Sequence, residues 1–172
     1  VILVYIVMAT QFESLKFPFI IMFTIPFAFT GVFLALWMTS TPLSLIALIG
    51  AIMLVGIVTK NGIVMVDYMN LLIERGSGVF DAVIAGGKSR LRPVLMTSFT
   101  TILGMLPLAI GTGAGSETWQ PMGIAVIGGL TFSTILTLFI VPVLYSILVN
   151  RSQRKEREKL ARLSAEHQAS KH

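Results

Sequence analysis

The sequence predicts an all-α membrane protein: a bundle of four complete transmembrane helices, preceded by the end of a fifth. Hydrophobic residues make up 55% of the chain and charged residues only 12%, with a mean hydropathy of +0.86. Soluble domains carry about 25% charged residues. Four apolar runs are long enough to cross a hydrocarbon core of about 30 Å, which takes about 20 helical residues. The runs are continuous, which disfavours the alternating strands of a β-barrel.

The elements follow from these runs. Residues 1–10 are apolar but too short to cross the membrane, so they are interpreted as the end of a longer helix. Complete spans are predicted at 17–39, 42–72, 93–112 and 122–149. The chain begins with Val and shows no signal-peptide pattern, so we expect a C-terminal fragment of a longer protein.

The basic residues predict the orientation. Twelve of the 13 Lys and Arg residues lie in the loop 11–16, the connecting segment 73–92 and the tail 150–172. The loops 40–41 and 113–121 contain no Lys or Arg. By the positive-inside rule, residues 1–149 form the transmembrane part with a cytoplasmic connecting segment 73–92, and 150–172 form a basic cytoplasmic tail.

The net charge of +5 is therefore a topology signal, and nucleic-acid binding is not predicted. In the tail, Arg154 and Glu158 have i,i+4 spacing, which indicates a solvated helix beside anionic membrane lipid. The chain has no Cys, and His167 and His172 have no ligand-spaced partner, so no metal site is predicted.

Lys60 is the remaining cation, and it lies inside the second span with 18 residues of that span before it and 12 after. A charge at the bilayer centre costs about 2.5–3.5 kcal/mol, so such a residue usually has a function. At 100° per residue, Gly56 lies within about 40° of Lys60 and Asp67 within about 20°. Neighbouring Asn61 and Gly62 add a polar and a small group, and this face is predicted to pack against protein.

Lys60 needs a counter-ion that the other spans do not supply. Asp67 lies about 10 Å further along the helix axis, which makes it a poor direct partner. The other three spans contain no acidic residue. An acid pair outside this chain would fit proton-coupled transport, because protonating a carboxylate breaks an ion pair.

Two further patterns concern helix surfaces. Arg90, Pro93, Thr97, Thr101 and Gly104 recur at spacings of three and four and form one stripe. The stripe has two interpretations: a polar relay, or packing in which each Thr bonds its own i−4 carbonyl. In the fourth span, Gly129, Ser133 and Thr137 have the small-xxx-small spacing of tight helix packing.

Three motifs carry a family resemblance: TKNGIVMVDY at 59–68, RLRPVLMTS at 90–98 and GTGAGSE at 111–117. They closely resemble the resistance-nodulation-division (RND) efflux pumps, most of all the hydrophobe/amphiphile, multidrug branch. The resemblance implies the end of helix 8 and helices 9 to 12, which is half of a twelve-helix transmembrane domain. It also implies a drug:proton antiporter rather than an enzyme, driven by proton-motive force without a cofactor.

The resemblance assigns roles and partners as well. Lys60 matches the central lysine that contacts an aspartate pair on helix 4 of the N-terminal half, which is missing here. Thr97 matches a threonine of the proton relay, Arg90 matches the basic residue at the start of helix 11, and Asn61 follows the lysine as in the family. We assign these three residues and Asp67 to the relay together with Lys60. From residue size and helical spacing, and not from the resemblance, we assign a further set to helix packing: Gly56, Gly62, Thr101, Gly104, Gly129 and Ser133. The implied assembly is a homotrimer in the inner membrane, with a periplasmic adaptor and an outer-membrane channel.

Several alternatives stay open. The chain could be a truncated, inactive membrane fragment of such a pump, or part of a metal-ion-exporting or lipid-exporting RND relative. An intramembrane enzyme is the least supported alternative, because Lys60 alone supplies no pair of nucleophile and base.

Overall fold

The computed structural model describes residues 2–12 and 15–169, so predictions for Val1, Glu13, Ser14, Lys171 and His172 lie outside the described residues. Within these ranges the chain forms five α-helices and no strand. The helices are α1 (Ile2–Phe12), α2 (Lys16–Met38), α3 (Leu45–Glu74), α4 (Val79–Ile110) and α5 (Ser116–Ala169). Four of them, α2 to α5, are long and apolar enough to cross a membrane, which confirms the predicted fold class.

Local capping decides where two of the helices begin or end. The second span is predicted from residue 42, but α3 begins at Leu45 because the Ser44 hydroxyl accepts a hydrogen bond from the Ala47 amide at 3.2 Å. At the end of α4, Gly111 adopts a left-handed φ of 74° and donates its N–H to the Pro107 carbonyl at 3.2 Å. An N-cap and a left-handed glycine thus fix these two boundaries.

Two helices extend well beyond the apolar runs. Helix α4 begins at Val79, so much of the connecting segment 73–92 is helical and Pro93 lies inside the helix. Helix α5 continues to Ala169 and includes the tail, where Arg154 and Glu158 form the expected ion pair at 3.2 Å. Hydropathy marks the part of a helix that suits the bilayer, whereas Lys, Arg and Glu are good helix formers that let the backbone continue into polar sequence.

Helix α5 lies at the centre of the bundle and packs against α2, α3 and α4. The buried side chains form two apolar clusters along it. One contains Val32, Leu54 and Leu130, and the other contains Ile21, Met65 and Tyr145. Helix α1 packs against α2 and adds Met8 to the second cluster.

The basic segments gather at one end of the bundle. Lys16, at the start of α2, donates from Nζ to the Ser152 hydroxyl at 2.8 Å, and so joins the N-terminal end of α2 to the tail. The Tyr145 hydroxyl bonds Asn70 Oδ1 and ties the same region of α5 to the last turns of α3. At the opposite end, Thr41 and Glu117 line one shared cavity. That the basic end is cytoplasmic stays a prediction of the positive-inside rule.

Helix α4 leaves most of its surface uncovered by this chain. Its buried residues are Ala82, Gly86, Val94 and Ser98. Large apolar side chains on its other faces, including Met96, Phe99 and Leu103, are exposed. A helix of this composition needs lipid or further protein around it.

Candidate functional site

Lys60 lies near the middle of α3 on a surface that this chain leaves open. Its side chain is exposed, as are Gly56 and Asp67, which share its face as the helical spacing predicts. Lys60 borders an open groove of about 480 Å³ whose other walls include Val4 of α1 and Phe29 of α2. Among residues 2–12 and 15–169, no carboxylate lies within ion-pairing distance of its ammonium. The cation is thus placed beside apolar side chains and faces outward from the bundle.

Unlike Lys60, its two neighbours in the sequence are buried. Thr59 is 6% exposed and Asn61 is 9% exposed, so both are buried between the helices. The Thr59 hydroxyl oxygen has no hydrogen-bond partner within the described part of the chain. A buried hydroxyl without a partner is costly, and this one adjoins the groove of Lys60. Sequence reasoning did not single out Thr59; its signal was a polar residue directly beside the intramembrane cation.

Arg90 is held against the end of α3. Its guanidinium carbon lies 4.7 Å from the centre of the Tyr68 ring, in a cation–π contact. The Nε of Arg90 is buried and has no hydrogen-bond partner in the described ranges. Arg90 therefore joins α4 to α3 at Tyr68, the residue that follows Asp67 in the sequence. Sequence reasoning missed Tyr68, because spacing along one helix does not reveal which residue of another helix it meets.

The stripe on α4 is intact, but its hydroxyls bond their own helix. Thr97 donates to the Pro93 carbonyl at 2.9 Å, and Thr101 donates to the Thr97 carbonyl at 2.8 Å. This is the i−4 bonding of the second interpretation. Thr97 and Gly104 are exposed and Thr101 is half-buried, so the stripe lies on a surface that this chain does not cover. No hydrogen bond joins Thr97 to Lys60 among the described residues, and the relay role of Thr97 stays a prediction.

The predicted packing residues fall into two groups. A Cβ atom at Gly62 would lie 3.1 Å from Ile21 Cγ2, and one at Gly129 would overlap Leu54. Ser133 is 1% exposed. In contrast, a Cβ at Gly56 or Gly104 would have no neighbour within 4 Å among the described residues, so these two glycines have no packing partner within this chain.

Two polar contacts between helices complete the scaffold, one buried and one half-buried. The hydroxyls of Ser98 and Thr134 lie 2.9 Å apart and link α4 to α5. Tyr145 and Asn70 link α5 to α3. Sequence reasoning missed both pairs. A polar residue in an apolar run indicates that it needs a hydrogen-bond partner, but it does not identify that partner. In these two pairs the partners are 36 and 75 residues apart in the sequence.

Comparison with known proteins identifies the scaffold. The family model described as the AcrB/AcrD/AcrF family matches residues 1–149. The chain belongs to this family. The match confirms the resemblance to RND efflux pumps, a family of transporters and not of enzymes.

The relatives of this chain are named for resistance either to drugs or to metal ions. Over 155 residues the chain is 43% identical to the multidrug resistance protein MdtC of Erwinia tasmaniensis and 41% identical to the cobalt-zinc-cadmium resistance protein CzcA of Cupriavidus metallidurans. Each alignment covers 90% of this chain and 15% of the relative, so the chain spans a small part of their length. MdtC is compatible with the multidrug branch, and CzcA is almost equally similar.

A solved structure supports the same assignment. The crystal structure of a heavy metal efflux pump matches with a TM-score of 0.77 and 32% identity, over 86% of this chain and 14% of that pump chain. The arrangement of the helices is therefore that of an RND transmembrane segment.

Proposed function

We propose that this chain supplies the proton-coupling half of the transmembrane domain in an efflux pump that exchanges protons for its substrate. The observation that carries this proposal is the position of Lys60: mid-helix, exposed, and without a carboxylate partner in the described ranges. A cation at that depth costs several kcal/mol unless it is paired. The open face of α3 therefore calls for an acidic partner on another helix.

The chemistry of such a pair provides a switch. While the partner carboxylate is ionised, it attracts the Lys60 ammonium and holds α3 against the partner helix. Protonation of the carboxylate removes that attraction and lets the helices move apart, which couples proton entry to a change of shape. In the family resemblance the partner is an aspartate pair on helix 4 of the N-terminal half.

The neighbouring residues have supporting roles in this proposal. Arg90 stacks on Tyr68 and would make the start of the α4 stripe move together with α3. Thr97 would take part in proton transfer, which requires its hydroxyl to exchange the Pro93 carbonyl for a new partner. Asn61 and Asp67 would supply polar groups on either side of the ion pair between Lys60 and its carboxylate partner.

The assembly is proposed from the resemblance. The chain would act in the inner membrane with its C-terminus in the cytoplasm, as part of a homotrimer driven by proton-motive force without a cofactor. A periplasmic adaptor and an outer-membrane channel would complete the export path. The substrate site would lie in parts of the pump other than these helices.

A chimera tests the proton-coupling role. This chain would replace the matching 155 residues of MdtC or CzcA, so that the relative supplies the rest of the pump. We expect Lys60→Ala to abolish efflux and substrate-dependent proton uptake in proteoliposomes. Lys60→Arg should also fail, because a planar guanidinium does not replace a compact ammonium.

Lys88→Ala is the matched control, since it removes a lysine from an exposed position of α4 outside the apolar run. This variant should keep both activities. Membrane levels of all variants are compared by immunoblot. Near-normal efflux by the Lys60→Ala chimera at normal membrane level would refute the proposal.

Metal-ion export is a second candidate, favoured by the 41% identity to CzcA and by the heavy metal pump structure. The two candidates share the Lys60 switch and differ in substrate. They are separated by expressing the complete pump that carries this chain in a susceptible host. Protection against cobalt, zinc and cadmium but not against drugs would select metal export, and the reverse pattern would select drug export.

A further inference from the structure

A basic pocket lies at the end of the bundle where the tail leaves the apolar part of α5. It has a volume of about 530 Å³ and lies between the start of α2 and the first turns of the tail. Its lining includes four cations and one anion, a formal net charge of +3: Lys16, Arg151, Arg154, Lys155 and Glu158. The proton-coupling proposal makes no use of this pocket.

The pocket lies where the apolar parts of α2 and α5 end. Lys16 directly precedes the apolar run of α2, and Arg151 follows the last apolar residues of the fourth span. Both cations therefore lie where apolar sequence meets polar sequence, which is where we expect the lipid headgroups. Leu148 also lines the pocket and gives it an apolar wall on the side of the membrane. A phospholipid has the same arrangement, because its charged phosphate lies next to its apolar acyl chains.

The position of the pocket is fixed by packing. The Phe17 ring stacks on the Tyr145 ring with centroids 5.7 Å apart, which holds the start of α2 against α5. Tyr145 bonds Asn70 of α3, and Lys16 bonds Ser152 at 2.8 Å. The cations are thus presented by two packed helices, α2 and α5, and α5 is tied to α3, whereas a solvated tail alone would hold them in no fixed arrangement.

We propose that this pocket is a binding site for the phosphate headgroup of an anionic phospholipid. The proposal is independent of proton coupling and of the exported substrate. It goes beyond a general attraction of the tail to the membrane, because it assigns binding to Lys16, Arg151 and Lys155 and not to the charges further along α5. Those further charges include Lys159 and Arg162, which do not line the pocket.

Native mass spectrometry of the 172-residue chain in detergent provides the test. The probes are phosphatidylglycerol, phosphatidylcholine and inorganic phosphate. The test variant is Arg151→Gln with Lys155→Gln, and the control is Lys159→Gln with Arg162→Gln, which removes the same charge. We expect the test variant to lose about tenfold in affinity for phosphatidylglycerol and the control to change less than about twofold, because each interfacial cation near the lipid contributes separately.

Three results would overturn the proposal. An equal loss in the test and control variants would indicate diffuse attraction. Equal affinity for phosphatidylcholine and phosphatidylglycerol would show that the net charge of the headgroup does not determine binding. Displacement of the lipid by inorganic phosphate at equal concentration would make the pocket a site for free anions. Circular dichroism checks that each variant keeps its helical content, and Lys16→Gln, expected to lose about threefold, replaces the test variant if that variant does not fold.

Discussion

Replacing Gly129 by alanine should loosen the centre of the bundle. The added Cβ would overlap Leu54 and lie 2.7 Å from Val32 Cγ2 and 3.2 Å from the Ala28 carbonyl oxygen. Carbon atoms in contact normally lie about 3.5–4.0 Å apart. Leu54 and Val32 are 1% and 2% exposed, so neither side chain can move aside into solvent or lipid. The helices α2, α3 and α5 must therefore separate by a fraction of an ångström or more.

The expected magnitude combines two opposing effects. Overpacking of a well-packed core costs about 1–3 kcal/mol. Alanine in place of glycine favours the helix by about 1 kcal/mol. Subtracting the second effect from the first leaves a net loss in the free energy of unfolding of about 0–2 kcal/mol, and the overlap with two buried side chains places Gly129→Ala toward the upper end of this range. Gly104→Ala is the matched control, because it brings the same helix preference to a position with no neighbour within 4 Å in the described residues.

The assay is unfolding of the detergent-solubilised chain by increasing fractions of SDS, followed by far-UV circular dichroism. Gly129→Ala should unfold at a lower SDS fraction than the original chain, and Gly104→Ala at the same or a higher one. If Gly129→Ala keeps the original midpoint, or if Gly104→Ala loses as much as Gly129→Ala, the reasoning from close helix contact is refuted.

Three further predictions concern polar contacts and use the same unfolding assay. Tyr145→Phe should cost about 1–3 kcal/mol, because it leaves the Asn70 oxygen without its donor at a half-buried position; no loss would mean that this bond does not hold α5 to α3. Ser98→Ala should cost about 1 kcal/mol or more, and combining it with Thr134→Val should cost less than the sum of the two single changes, because the second change removes the orphaned hydroxyl; strict additivity would contradict a shared hydrogen bond. Arg154→Ala should change the stability by less than about 1 kcal/mol, because its ion pair is exposed; a larger loss would indicate a structural role for the tail.

Much of the architecture could be predicted because the solvent imposes it. A segment that crosses the hydrocarbon region must satisfy its backbone hydrogen bonds internally, so four long apolar runs without alternation imply four helices. The cost of a charge in that region makes a lysine in mid-span conspicuous, so Lys60 stands out from the sequence alone. Motif spacing then led to the family that the comparison confirmed.

Helix ends were less predictable, since hydropathy does not record them. Pro93 was expected to open a span and lies inside α4, which begins at Val79. Ser44 and Gly111 set boundaries through local capping, a signal carried by single residues. The tail is helical as predicted, but it continues α5 without a break.

By itself, the sequence determined the fold class, the apolar spans and the faces of single helices, because these depend on composition and on the helical repeat. Only the tertiary structure decided which faces meet. It turned Thr59 and Asn61 inward while Lys60 faced outward, and it brought Arg90 onto Tyr68. The physical reason is that contacts between helices depend on their relative rotation and depth, and residues distant in the chain fix both through packing.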